Sequence, residues 1–208
     1  KYLEYDQLYG YTPSYIRRAL IRKAIGHVKS FEDIVKELID SNIYYAGICD
    51  HIEFNYEALL IIDYTNDFVA DMGSLTCGKP GQECEEPIIK LANEFIKKNN
   101  YVILPTDCHQ LNDPYHPETK LFPPHNIEGT VGRDFYGKLK SWYDENSTRS
   151  NVWMMDKTRY SAFVGTNLDL KLRERGVKTL HLIGVCTDIC VLQTAIYAYN
   201  LGYELIIH

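Results

Sequence analysis

The sequence predicts an α/β fold, a parallel sheet with helices on both faces. Two observations carry that expectation. From Ala58 onward, short apolar runs alternate with stretches whose apolar residues recur at helical spacing, the pattern of strands joined by crossover helices. Several of those runs end on a polar side chain and a turn, which is where open α/β sheets place their ligand crevice. With 208 residues, 45% hydrophobic and 24% charged, the chain can bury one sizeable core plus at most a small appended unit.

Taken in order, Ala58 to Ile62 is a buried strand entering Asp63. Pro87 to Lys98 is a helix, ended by Asn99-Asn100. Tyr101 to Thr106 is the second strand, and Asp107 to Arg133 is a long loop rich in Pro, His and Asn, a length that inside a compact domain usually serves function. Asn151 to Met155 is the third strand. Leu168 to Arg175 is a helix stopped by Gly176, and the run to Ile183 is the fourth strand. A helix capped by Thr187 and running to Leu201 follows, then a last strand, Tyr203 to Ile207.

Residues 1 to 57 read differently and form an N-terminal extension to a domain spanning 58 to 208. They are rich in tyrosine, with a basic helix expected over Pro13 to His27, a capping box at Ser30 and Asp33 opening a helix to about Ile39, and a strand over Ile43 to Ile48. Cys49-Asp50-His51 at the end of that strand offers metal-ligand types without further ligand spacing.

Bulk properties narrow the function. A net charge of −6 argues against a nucleic-acid partner, which needs a basic face. No apolar run reaches the length of a membrane span and no signal-peptide pattern opens the chain, so the expected location is the cytoplasm. The expected partner is a small molecule, with a homo-oligomer compatible and neither nucleic acid nor membrane involved. Six cysteines, at 49, 77, 84, 108, 186 and 190, lack the density of a disulfide scaffold and read as free thiols.

Gly184 to Val191 is the most informative stretch, because an apolar strand ends there in a tight turn that opens a helix. Capping by Thr187 would place the Cys190 thiol in the first turn, where free N–H groups and the helix dipole favour a thiolate nucleophile. The competing reading is a buried cysteine that fills space. Asp63 and Lys157 end two other strands at the same rim, so acid, amine and thiol converge; taken singly, Asp63 reads equally as a turn cap and Lys157 as a surface lysine. The loop after strand two adds Asp107, His109, Glu118 and His125, with His116 competing for a place. Oxygen and imidazole donors together suit one divalent ion, zinc first, iron or manganese next; the competing reading is a polar surface loop that happens to carry several histidines.

These motifs together resemble the isochorismatase-like cysteine hydrolases, most closely the bacterial nicotinamidases. The resembling stretches are Leu59 to Asp63, Thr106 to His109, Lys120 to His125, Met155 to Lys157, Tyr160 to Phe163 and Gly184 to Val191. The resemblance implies a catalytic triad of Asp63, Lys157 and Cys190 and an ion held by Asp107, His109, Glu118 and His125. It also implies a cis peptide between Val185 and Cys186, an oxyanion site at the backbone N–H groups of Cys186 and Cys190, and a ring site walled by Phe68, Phe122 and Tyr160. For all three the rival reading is ordinary core packing, and it weighs most on Phe122. The reaction implied is hydrolysis of nicotinamide to nicotinate and ammonia, in NAD salvage; the alternatives are a cysteine amidohydrolase of the same superfamily acting on a different small amide, and a non-catalytic binding protein derived from it.

Two departures from the family pattern set further expectations. The family continues beyond the strand at Tyr203 to Ile207 with a helix and a strand, so the sheet is expected to be short by an element. The family also begins near Ala58, which makes residues 1 to 57 additional. The helix and strand over Ser30 to Ile48 could replace the missing pair, as in a circular permutation; a truncated or fused gene product explains the same facts.

Overall fold

The structure, a computed structural model, describes residues 56–208. The expectations for Pro13 to His27, Ser30 to Ile48 and Cys49-Asp50-His51 lie outside the described residues. Five strands, β1 (Tyr56–Ile62), β2 (Tyr101–Asp107), β3 (Val152–Lys157), β4 (Val177–Gly184) and β5 (Glu204–Ile207), form one sheet in the order β3-β2-β1-β4-β5. Every pairing is parallel.

The central strand shows why the sheet is covered on both faces. In β1, Ala58, Leu60 and Ile62 point into one core while Leu59 and Ile61 point into the other, the two-residue period of a strand buried on both sides. Helices α3 (Leu168–Glu174) and α4 (Leu192–Asn200) supply Leu168, Leu172 and Ala198 to the first core. Helices α1 (Glu85–Lys97) and α2 (Lys138–Asn146) supply Ile88, Ala92, Phe95, Leu139 and Trp142 to the second. Among the described residues no helix is long and apolar enough to cross a membrane.

The order of strands sets the position of the site. The chain builds outward from β1 to β2 and β3 on one side, then returns to β4 and β5 on the other, so the switch point lies between the carboxyl ends of β1 and β4. Asp63 follows β1, Asp107 and Lys157 are register partners at the ends of β2 and β3, and Gly184 pairs with Ile62 at the end of β4. A side chain at Gly184 would collide with the Ile62 carbonyl, its Cβ falling 2.1 Å from the oxygen, and its φ of 127° is open to glycine. This close approach brings the segment carrying Cys190 against the end of β1.

Two local expectations change. Thr187 is exposed and caps nothing; the flanking residue is Cys186, and the first turn, Thr187–Val191, is a π-type turn in which the Ile189 and Val191 N–H groups both donate to the Cys186 carbonyl. The backbone thus supplies the bonds that a capping hydroxyl would have made. Helix α2 occupies a stretch to which the sequence assigns no element. It starts at Gly137 without a side-chain cap, so the usual opening signal is missing.

Candidate active site

Lys157 is the centre of a buried charged cluster. Its ammonium, on a side chain 1% exposed, lies 2.7 Å from Asp63 Oδ2 and 2.5 Å from Asp107 Oδ1. It also donates to the Arg159 carbonyl at 3.2 Å and sits 3.6 Å from Cys190 Sγ. Oxygen atoms of Asp63 and Asp107 and the Cys190 sulfur all fall within 4.8 Å of one another. The surface-lysine reading of Lys157 and the turn-cap reading of Asp63 both give way to this geometry.

The backbone around Asp63 is specialised. Its φ is 54°, a left-handed conformation that costs a non-glycine residue about 1–3 kcal/mol and recurs at functional sites. Its N–H donates to the Pro105 carbonyl at 3.0 Å, and its Oδ1 accepts the Asp107 N–H at 2.8 Å. The carboxylate is therefore locked between the ends of β1 and β2, with Oδ2 turned to Lys157.

Charge states follow from burial and from these neighbours. Burial, reinforced by the Asp107 carboxylate, pushes Asp63 up to about 7 despite the pull of Lys157. Burial alone would raise Asp107 as well, but Lys157 and the His109 ring hold it below the usual carboxylate range. Burial opposes the Lys157 ammonium, yet the two carboxylates raise it above an ordinary lysine. For Cys190, burial, then the Asp63 charge, pushes the thiol up, against the lowering expected from the helix terminus. One ammonium facing two carboxylates leaves the cluster with a surplus negative charge, which outweighs the partial positive charge of a helix end.

The long loop brings the donor residues together beside this cluster. Asp107, His109 and His125 present ligand atoms within 4.8 Å of one another. His109 Nε2 lies 3.8 Å from Asp107 Oδ2, and His125 Nε2 lies 3.4 Å from Glu118 Oε2. Both imidazole Nε2 atoms are buried without a hydrogen-bond partner, an arrangement that costs free energy unless something fills the space between them. His125 donates its other ring N–H to the Pro123 carbonyl at 2.8 Å, the usual way a metal-binding imidazole is oriented. The residues fit a divalent ion.

Supporting residues that the sequence did not single out hold this loop. Asn126, at φ 44°, donates its N–H to Asp67 Oδ2 at 2.7 Å, and its carbonyl accepts the His109 N–H at 3.0 Å, so one backbone unit orients both histidines. Arg133 donates to the Asp107 carbonyl at 2.8 Å and pairs with Asp156, clamping the ends of β2 and β3. Asp67, four residues beyond Asp63, carried no signal as a loop anchor.

A cavity of about 170 Å³ joins the two clusters. Phe68, Phe122 and Tyr160 line it, as do Asp107, Glu118, His125, Cys186 and Cys190. Phe122 is half-buried and belongs to neither core, whereas Phe68 is part of the second core and Tyr160 packs against the first, so for those two residues core packing and cavity lining coincide. Leu75 and Ile189 also line the cavity and were missed. Ile189 could have been found as the neighbour of Cys190 on the opening turn; Leu75 sits in a loop with no periodicity to point inward. The peptide between Val185 and Cys186 is cis, as the resemblance implied.

The isochorismatase domain model matches residues 57–208. The chain belongs to the isochorismatase family. A family member from Bacillus subtilis, described as an uncharacterized isochorismatase family protein PncA, is 59% identical over 152 residues, covering 73% of this chain and 83% of the relative. The crystal structure of nicotinamidase/pyrazinamidase PncA from Bacillus subtilis superposes with a TM-score of 0.72 at 54% identity, over 74% of this chain and 84% of that one. A pyrazinamidase of Pyrococcus horikoshii solved in complex with zinc has a TM-score of 0.62 at 26% identity, over 73% and 82% of the two chains.

Proposed function

We propose that this isochorismatase-family protein is a nicotinamidase, hydrolysing nicotinamide to nicotinate and ammonia through a thioester on Cys190. The observation that carries the reading is the single cavity bounded by the Cys190 thiol and by the donor residues Asp107, Glu118 and His125. A flat ring bearing a carboxamide and a ring nitrogen has a polar group for each end and π-faces for Phe68, Phe122 and Tyr160. The names of the PncA relatives point the same way.

Each residue of the cluster has a task. Asp63 accepts the Cys190 thiol proton; raised to about 7, its carboxylate is a stronger base than an ordinary one and better matched to proton transfer near neutral pH. The sulfur attacks the carboxamide carbon, and the developing oxyanion is bound by the backbone N–H groups of Cys186 and Cys190. Asp63 returns the proton to the departing ammonia, leaving the acyl group on sulfur. It then takes a proton from water, which attacks the thioester, releases nicotinate and restores the thiol. Lys157, fixed as an ammonium, holds Asp63 in place and offsets negative charge as it forms on sulfur. Asp107, His109, Glu118 and His125 would hold one divalent ion, zinc by the donor set and by the zinc-bound relative. When bound, that ion supplies a Lewis-acidic contact for the ring nitrogen, directly or through water.

The test of the reading is ammonia release from nicotinamide by the metal-replete chain, compared with benzamide, which lacks the ring nitrogen. Turnover of nicotinamide with much slower turnover of benzamide supports it; equal rates would remove the role of the donor set. Removing the ion with a chelator is expected to weaken nicotinamide binding by at least about tenfold while the chain still unfolds cooperatively. The ligands lie on a loop outside the sheet, so the two cores survive without the ion. Equilibrium dialysis with labelled nicotinamide, beside a circular-dichroism melt, checks this. Unchanged binding after chelation would contradict the assignment.

A further inference from the structure

The proposed donor set leaves out His116, although one of its ring nitrogens comes within 4.8 Å of ligand atoms of His109 and Glu118. We propose that His116 is a positioning residue, which ties the ligand Glu118 to the strand end carrying Lys157 and gives neither ring nitrogen to the ion. This inference rests on the ion site assigned above.

Hydrogen bonding decides between ligand and support. His116 Nδ1 accepts the Glu118 backbone N–H at 3.3 Å, making His116 the side-chain cap of the turn Pro117–Lys120. Only a bare ring nitrogen can accept an N–H, so the proton sits on Nε2. Nε2–H then donates to the Thr158 carbonyl at 2.8 Å. Both nitrogens of His116 are engaged, whereas the Nε2 atoms of His109 and His125 are buried and unpartnered. The ring is itself 9% exposed and packs against His109, centroids 4.5 Å apart.

The far end of this tether matters as much as the near one. Thr158 directly follows Lys157, and the next carbonyl, that of Arg159, accepts from the Lys157 ammonium. His116 thus spans from the loop that presents Glu118 to the turn that holds the ammonium. Outer-shell partners of this kind are worth about 10–100-fold in metal affinity or activity.

The test uses the full chain loaded with Co²⁺, with His116→Ala, His116→Asn and His116→Gln. Asn keeps an acceptor near the Nδ1 position and remains a capping residue; Gln extends its amide N–H toward Thr158 but gives up that acceptor. All three are expected to bind one Co²⁺ with d–d bands unchanged in position. Chelator competition should show about 10–100-fold weaker Co²⁺ binding for Ala, with most of the affinity restored by Asn and less by Gln. For kcat the order should reverse, Gln recovering more than Asn. Shifted bands in the Asn variant would make His116 a ligand and overturn the proposal, as would an Ala variant with parental affinity and kcat. A parent chain that binds no Co²⁺ would overturn the ion site itself, and that result needs no variant to be seen. The Asn and Gln comparison stands even if His116→Ala folds poorly.

Discussion

Replacing Cys190 with alanine is expected to reduce ammonia release from nicotinamide to background while leaving ring binding measurable. In the proposed reaction the sulfur forms the thioester, and no other thiol stands 3.6 Å from the Lys157 ammonium among the described residues. The ring contacts proposed above would come from Phe68, Phe122 and Tyr160 and from the donor residues that line the cavity, none of which the substitution replaces. Cys190 also packs in the core with Val191, so alanine removes one buried sulfur, a change that costs stability but leaves the cluster of charges intact. Steady-state ammonia assays and nicotinamide titration check both halves. Turnover near the parental rate would rule out Cys190 as nucleophile.

The Asp63→Asn variant should lose about 10²–10⁴-fold in turnover, the usual contribution of a positioned general base, with little change in substrate binding. The choice of residue matters for folding. Lys157 sits between two carboxylates, so asparagine at 63 leaves the ammonium paired with Asp107 and removes the surplus negative charge. Removing Lys157 instead would leave Asp63 and Asp107 facing each other in the interior, a change expected to damage the fold and to confuse any kinetic result. A variant that keeps more than a tenth of parental turnover would sink the base assignment.

Much of this site was legible from residues alone, and for a physical reason. Asp63, Lys157 and the turn before Cys190 each follow an apolar run, and in a parallel sheet those ends share one rim. Register did the rest: Asp107 and Lys157 are paired residues at the ends of β2 and β3. The donor loop was also visible, because the residue types of Asp107, His109, Glu118 and His125 suggested ligation, and the structure finds all four 7% exposed or less.

What could not be read lay in backbone geometry and in charge balance. The π-type turn at Thr187–Val191 has no side-chain signature, so a threonine in a capping position suggested a cap that does not form. Helix α2 buries Leu139 and Trp142 from an otherwise polar stretch, too few apolar positions to mark a period. The state of Cys190 depends on its distance to two carboxylates that are 83 and 127 residues away in sequence, and a local dipole argument has no access to them. His116 is the clearest case: composition makes it a rival ligand, and only the partners of its two nitrogens separate support from ligation.

The most direct test of the central claim is a rapid acid quench of the metal-replete chain turning over nicotinamide, followed by peptide mass mapping. A nicotinoyl group on the peptide containing Cys190, absent from the Cys190→Ala chain, is the predicted result. Turnover with no acyl adduct on that peptide, or with the adduct on another residue, would contradict it.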